Sequence, residues 1–112
     1  MSNLVIDTNT DSLFYEQTQQ LEGVEYLIRF IWSDRETRWY INLYDQDANP
    51  IALGVGLKVS WPLLRRFKDS RLPPGLLMCV DMGGQKVDIQ TPDELGKRVL
   101  LMYVTADDPS LA

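Results

Sequence analysis

The stretch VEYLIRFIW at residues 24–32 alternates two sets of side chains with the period of a β-strand. Because successive side chains of a strand point to opposite faces, this alternation predicts a strand. One face carries five large apolar residues: Val24, Tyr26, Ile28, Phe30 and Trp32. The opposite face is mixed, since it places Leu27 and Ile31 beside two charged residues. This segment is the clearest strand signal in the chain.

Two similar segments follow after short polar connections. Residues 38–44 direct Trp39, Ile41 and Leu43 to one face, and residues 51–59 alternate again. Successive strands joined by short polar loops form antiparallel meanders. The sequence therefore predicts a three-stranded meander. Upstream of it, residues 13–20 alternate imperfectly, and Glu22-Gly23 predicts a turn.

The second half of the chain mixes helix and strand signals. In residues 61–67, a proline in the first turn and three apolar residues on one face predict a short helix. Residues 76–82 and 98–106 predict strands, and both faces of the last one are apolar. Between them, Thr91-Pro92-Asp93-Glu94 has the form of a capping box, which predicts a helical turn near residues 92–95.

These signals predict a mainly β fold, namely a small antiparallel curved sheet or partly open barrel with one short helix. A length of 112 residues suits one domain. We expect a single β-rich domain over residues 12–106, a flexible N-terminal arm over residues 1–11 and a frayed C-terminal tail over residues 107–112.

Composition excludes several classes of function. The chain has no histidine and one cysteine, so no intramolecular disulfide, His-ligated zinc site or Ser-His nucleophile can form. Cys79 lies in an apolar run and is expected to be a buried, inert thiol. The net charge is −5 with scattered basic residues, which argues against nucleic acid as the main partner. No leader or membrane-spanning pattern is visible, so we expect cytoplasmic synthesis and no membrane partner.

Three polar motifs could suggest chemistry. Residues 45–49 begin like a calcium loop but lack its Gly and Glu positions, so a polar hairpin turn explains them better. Asp81, Asp88, Asp93 and Glu94 could supply a catalytic carboxylate pair, but their spacing brings no two of them together. Gly54 and Gly56 leave one strand face bare, and we expect a packed side chain or a bend there in preference to a ligand. We therefore predict no catalytic residue, no cofactor and no metal.

An interaction surface is the remaining option. Strands that are apolar on both faces need two covering layers, and the chain predicts little helix to supply the second. We expect a protein partner or another copy of the chain to cover the remainder, giving a homo-oligomer within an assembly. The residues predicted to form this subunit interface are Trp32, Tyr40, Tyr44, Trp61, Leu100 and Met102.

An ordered set of segments carries a family resemblance across residues 20–105. The set comprises LEGVEY (21–26), Trp32, Arg35, RWYINLYD (38–45), PIALGV (50–55), Leu63-Leu64, RLPPGL (71–76) and DELGKRVLLMYV (93–104). With these segments the chain resembles the small baseplate plug proteins of contractile-tailed phages, of the cyanophage type. Residues 82–90 depart from that pattern.

The resemblance implies a structural role without catalytic residues. A plug of this kind would be made in the bacterial host cytoplasm and reside in the virion tail baseplate, where it contacts hub or tube proteins and closes the tail tube at its tip. The residues alone leave two alternatives open. One is a cytosolic protein- or peptide-binding β module that adds a peptide to a strand edge. The other is a carboxylate-dependent hydrolase.

Overall fold

A meander of four strands and a second sheet of three strands make up the structure. The computed structural model describes residues 3–6, 8, 12–64, 67–85 and 87–105. Within these residues the strands are β1 (Asn3–Val5), β2 (Phe14–Leu21), β3 (Val24–Ser33), β4 (Arg38–Tyr44), β5 (Pro50–Gly56), β6 (Leu76–Asp81) and β7 (Val99–Val104), with a 3-10 turn at Pro92–Glu94. The orders β2-β3-β4-β5 and β1-β7-β6 are antiparallel throughout.

The mainly β class predicted from the sequence is confirmed, in the form of two open antiparallel sheets and no closed barrel. The hairpin between β2 and β3 turns at Glu22 and Gly23, which have φ angles of 51° and 82°. Two consecutive positive φ values match the twist of the flanking strands, so this tight turn closes the hairpin in register.

The two sheets bury their facing sides in one apolar cluster. The face predicted for β4 is confirmed, since Trp39, Ile41 and Leu43 are fully buried. From the opposite sheet, Cys79 and Leu101 are equally buried. Burial of such side chains contributes about 1.5–3 kcal/mol each, which makes this cluster the main source of stability.

Strand β5 contains a bulge that changes its predicted alternation. Ile41 pairs with Val55 and Leu43 pairs with Ala52, so two residues of β5 oppose the single Asn42. The N–H of Gly54 donates to Asn42 Oδ1 at 2.7 Å, and Gly54 takes a φ of 69°. The bulge turns Ala52 toward the core and leaves Leu53 exposed, whereas simple alternation would place Leu53 on the same face as the buried Val55.

The short helix predicted over residues 61–67 is wrong for the part of this segment that the structure describes. Leu63 N–H donates to Leu77 O of β6, as Ser60 N–H just before the segment donates to Cys79 O, and Phe67 N–H closes a single turn on Leu64 O. Ser60, the residue before this segment, has a φ of 59°, whereas a residue that caps a helix N-terminus is extended. Pairing with a distant strand thus overrides a local helix signal.

The capping turn is confirmed at Pro92–Glu94, where the Glu94 carboxylate accepts the N–H of Thr91 at 3.1 Å. At the N-terminus, Asn3–Val5 pair with β7 and Ile6 is buried, so this part of the predicted arm joins the second sheet. The rest of the arm, apart from Thr8, and the predicted tail lie outside the described residues. No helix in the described ranges is long and apolar enough to cross a membrane.

Candidate functional site

The outer side of the β1-β7-β6 sheet presents apolar side chains. Residues directly opposite each other on paired strands share a face, and Met102 pairs with both Met78 and Val5, while Leu100 pairs with Val80. Val5 is 45% exposed and the other four are half-buried. We call Val5, Met78, Val80, Leu100 and Met102 the apolar face. A sheet face of this composition is typical of a protein contact.

A groove of about 520 Å³ lies between the end of β5 and the segment that follows it. Arg38, Tyr40, Lys58 and Trp61 are among the side chains that line it. Trp61 is 52% exposed, and Lys58 Nζ lies 5.0 Å from the centre of its ring. We call this site the cationic groove.

Gly56 forms the floor of the cationic groove. A β-carbon at Gly56 would lie 3.0 Å from Arg38 Cδ and 3.5 Å from Tyr40 Cε1, so these side chains lie across the strand there. Tyr40 also donates its hydroxyl hydrogen bond to the Glu36 carboxylate. The expectation of a packed side chain at Gly56 is confirmed, and Gly54 occupies the bulge, which is the bend expected as the alternative.

The cations of the groove differ from four other cations of the chain. Arg29, Arg71, Lys97 and Arg98 each form an ion pair with a carboxylate. Among the described residues, neither Arg38 nor Lys58 has a carboxylate within ion-pair distance. In a chain of net charge −5, the groove therefore brings together two cations that form no ion pair within the described part of the chain.

The carboxylates considered for catalysis have structural partners. Arg98 lies 2.8 Å from both Asp81 and Glu94, and the Asp88 carboxylate accepts the N–H of Val59 at 2.8 Å. Hydrogen bonding from Arg98 lowers the pKa of Glu94 to about 2. Bonds from the backbone N–H groups of Val87 and Gly83, together with the Arg98 charge, lower the pKa of Asp81. A general acid at neutral pH needs a raised pKa, whereas these values are lowered. The ion pairs of Asp81 and Glu94 with Arg98 therefore indicate a structural role.

The calcium-like motif is a turn, as the sequence analysis preferred. Asp45 Oδ1 accepts the N–H groups of Asp47 and Asn49, each at 2.9 Å. The other carboxylate oxygen lies 3.2 Å from Arg71. These contacts supply the oxygens of Asp45 with protein donors, which explains the acidic residue there without a cation.

Cys79 is fully buried, as predicted, and burial raises the pKa of its thiol to about 12. A thiol in this state is a poor nucleophile because little thiolate is present at neutral pH. Across the residues described, no three His, Cys, Asp or Glu side chains converge as they would around a metal ion.

The structure distributes the six predicted interface residues over several places. Leu100 and Met102 lie on the apolar face, and Tyr40 and Trp61 line the cationic groove. The guanidinium of Arg29 lies 5.0 Å from the ring centre of Tyr44 on the outer side of the other sheet.

Trp32 is held differently from the other five. Its ring packs edge-on against Trp39 at 5.7 Å, and its indole N–H donates to Asp34 at 2.6 Å. These are contacts within the domain. The six residues therefore do not form one continuous patch, and their role at a subunit interface stays a prediction.

Sequence reasoning missed five residues of these surfaces. Met78 and Val80 lie in a run that is apolar on both faces, LLMCV at residues 76–80, and that doubling was the available signal. Val5 joins the apolar face because β1 pairs with β7 from the other end of the chain. The sequence around Val5 gives no signal of that pairing. Arg38 and Lys58 look like ordinary surface cations in the sequence, since the absence of an ion pair to another described residue depends on the tertiary arrangement.

Comparison with known proteins gives one clear match. The family model described as cyanophage baseplate Pam3 plug gp18 matches residues 3–107, nearly the whole chain. No curated protein matches the chain. The matched family agrees with the resemblance found from the ordered segments of the sequence.

Proposed function

Because this chain belongs to the family of the cyanophage baseplate Pam3 plug gp18, we propose that it closes the tail tube at the tip of a phage or prophage tail baseplate. The observation that carries this proposal is the family match over residues 3–107. The chain is then a structural subunit that acts by occupying a position in the assembly. Its site of action is the virion tail, after synthesis in the bacterial host cytoplasm.

The apolar face supports contact with a hub or tube protein. Its five residues present sulfur and hydrocarbon groups on a regular sheet, which can pack closely against another protein surface. Exposing such a face throughout the life of a soluble monomer would favour aggregation. Burial against a neighbouring baseplate protein removes this liability and contributes binding free energy.

The carboxylate network supports a non-enzymatic role. Asp81 and Glu94 are both bonded to Arg98, and their pKa values are lowered. Neither carboxyl group is set up to donate a proton at neutral pH. The protein therefore acts through its surfaces. We propose that several copies join one symmetric assembly, as homo-oligomers usually do.

Two methionine variants test this function on whole particles. Met102→Glu places a charge on the apolar face, whereas Met82→Glu makes the same change at a site that is 62% exposed and lies outside that face. We expect Met102→Glu to be lost from purified tails, as measured by mass spectrometry, and Met82→Glu to be retained. Circular dichroism of both soluble variants checks that they fold.

Three results would contradict the proposal. The unaltered chain could be absent from purified tails, which would remove the baseplate role itself. A folded Met102→Glu protein could be incorporated as well as the Met82→Glu control, which would remove the contact through the apolar face. Tails without the protein could still be closed at the tip, which would remove the plug role.

A further inference from the structure

The cationic groove combines features that suit one chemical class of partner. Arg38 and Lys58 have no ion pair among the described residues, and Trp61 offers an exposed ring beside Lys58. Cations that form no ion pair attract carboxylates, and exposed tryptophan rings bind apolar groups. A ligand that carries both groups at close spacing would satisfy both halves of the site.

We propose that the cationic groove binds an acidic segment of a neighbouring protein, with carboxylates at Arg38 and Lys58 and an apolar side chain against Trp61. The volume of about 520 Å³ is in the range of protein sites that accept small ligands or a few side chains. The identification of the partner as a baseplate protein rests on the proposed function, whereas the chemistry of the site does not.

The backbone makes the groove accessible to an extended segment. A β-carbon at Gly54 would meet no atom within 4 Å, so the space beside Gly54 itself can take an approaching side chain. Beside it, Arg38 is laid across Gly56 and packs its methylene groups on the strand. An arginine supported in this way loses less side-chain freedom when it binds a carboxylate, which favours binding.

Charge distinguishes a peptide from a nucleic acid as the occupant. The whole chain carries a net charge of −5, which repels an extended polyanion at long range. A short acidic peptide is attracted by Arg38 and Lys58 nearby. Because it carries few charges, the acidic remainder of the surface repels it only weakly. The observations therefore favour an acidic peptide segment.

Fluorescence titration of the purified full chain tests this inference. The probe is a short capped peptide of alternating Glu and Leu, compared with the same peptide carrying Gln in place of Glu. Trp39 is fully buried and Trp32 is packed against it, so a change in emission should come from Trp61 and disappear in Trp61→Phe. We expect binding of the Glu peptide to weaken as salt is raised, and the Gln peptide to bind at least about tenfold more weakly.

Matched variants locate the site. Arg38→Gln with Lys58→Gln should lower the affinity for the Glu peptide by at least about tenfold. The control Lys68→Gln changes an exposed cation outside the groove and should bind as the parent does. Thermal unfolding of each variant confirms that it is folded.

Several outcomes would overturn the inference. Equal binding of the Glu and Gln peptides, or no binding of either, would show that the protein does not select an acidic segment. Unchanged affinity in the double variant would show that the peptide binds outside the cationic groove. Binding of oligothymidylate with the same dependence on Arg38 and Lys58, and tighter than the Glu peptide, makes the groove a nucleic-acid site. None of these results affects whether the chain is found in purified tails, so failure here is distinguishable from failure of the plug role.

Discussion

The backbone N–H of Gly75 donates a 2.6 Å hydrogen bond to the hydroxyl of Tyr103, which in turn donates to the Glu22 carboxylate. Tyr103 lies in β7, Glu22 lies in the hairpin turn between β2 and β3, and Gly75 directly precedes β6. One buried hydroxyl therefore links the two sheets to the turn that enters β6. Substitutions at Gly75 and at Tyr103 should therefore lower the stability of the fold.

Gly75→Ala should destabilise the fold strongly. A β-carbon at Gly75 would overlap the carbonyl oxygen of Val104 and lie 2.6 Å from Tyr103 Oη. Overpacking of this kind against backbone costs about 3 kcal/mol, measurable by urea unfolding. The control Gly84→Ala has open space and should lose about 1 kcal/mol through its positive φ alone. Adding Tyr103→Phe should not rescue Gly75→Ala, because Val104 O remains in place. Equal losses at the two glycines would contradict the clash.

Tyr103→Phe should lower stability by about 1–2 kcal/mol at neutral pH, because the Gly75 N–H and the Glu22 carboxylate lose their partner. Burial and the hydrogen bond to Glu22 raise the pKa of Tyr103 above its usual value of 10.0. Since the folded-state pKa is higher than the unfolded one, this contribution is complete below about pH 10 and is lost as the pH rises further. The alkaline decline in Tm should therefore be shallower in Tyr103→Phe than in the control Tyr44→Phe. Parallel curves would contradict this origin.

The Arg98 ion pairs should contribute to the loss of stability in acid. The pKa of Glu94 is lowered from 4.5 to about 2, chiefly by its hydrogen bond from Arg98. Because the folded-state pKa is the lower one, the stabilisation is complete above pH 4.5 and is lost as the pH falls toward about 2. Arg98→Gln should lower Tm by several degrees at neutral pH and flatten the acid decline. Lys97→Gln, which breaks an exposed pair at 3.9 Å, should leave both unchanged. An acid decline as steep in Arg98→Gln as in the parent protein would contradict this assignment.

The Cys79 thiol should resist alkylation in the native protein. It is fully buried, and its pKa is raised to about 12 by burial, so access and thiolate are both lacking. Iodoacetamide at about pH 8 should label it at the rate of unfolding. A Met82→Cys protein in the Cys79→Ala background should be labelled rapidly, because position 82 is 62% exposed. Equal labelling rates in the two proteins would show that Cys79 is reachable.

Local patterns predicted most strands and their faces. The alternation of residues 24–32 and 38–44 corresponds to β3 and β4, and Trp39 is buried as expected. These strands could be predicted because one face of each packs against the core. Their apolar residues therefore recur at every second position, which is the period of a strand. The failed helix at residues 61–67 has the opposite cause. Its local cues were overridden by hydrogen bonds to β6, and such long-range pairing leaves no mark on the segment itself.

The surfaces were only partly predictable for the same reason. Leu100 and Met102 could be found because a strand that is apolar on both faces needs a second cover. Val5 joins them through pairing between the two ends of the chain, and Lys58 gains its role from the ring of Trp61 and from lacking an acidic partner among the described residues. Assigning such residues requires the spatial neighbours that the fold brings together.

A cryo-electron microscopy map of the intact tail tip tests the central claim most directly. The account predicts density for this chain across the end of the tail tube, with the apolar face of Val5, Met78, Val80, Leu100 and Met102 packed against a neighbouring protein. A tail tip that is closed by other proteins alone, or that holds this chain with the apolar face open to solvent, would contradict it.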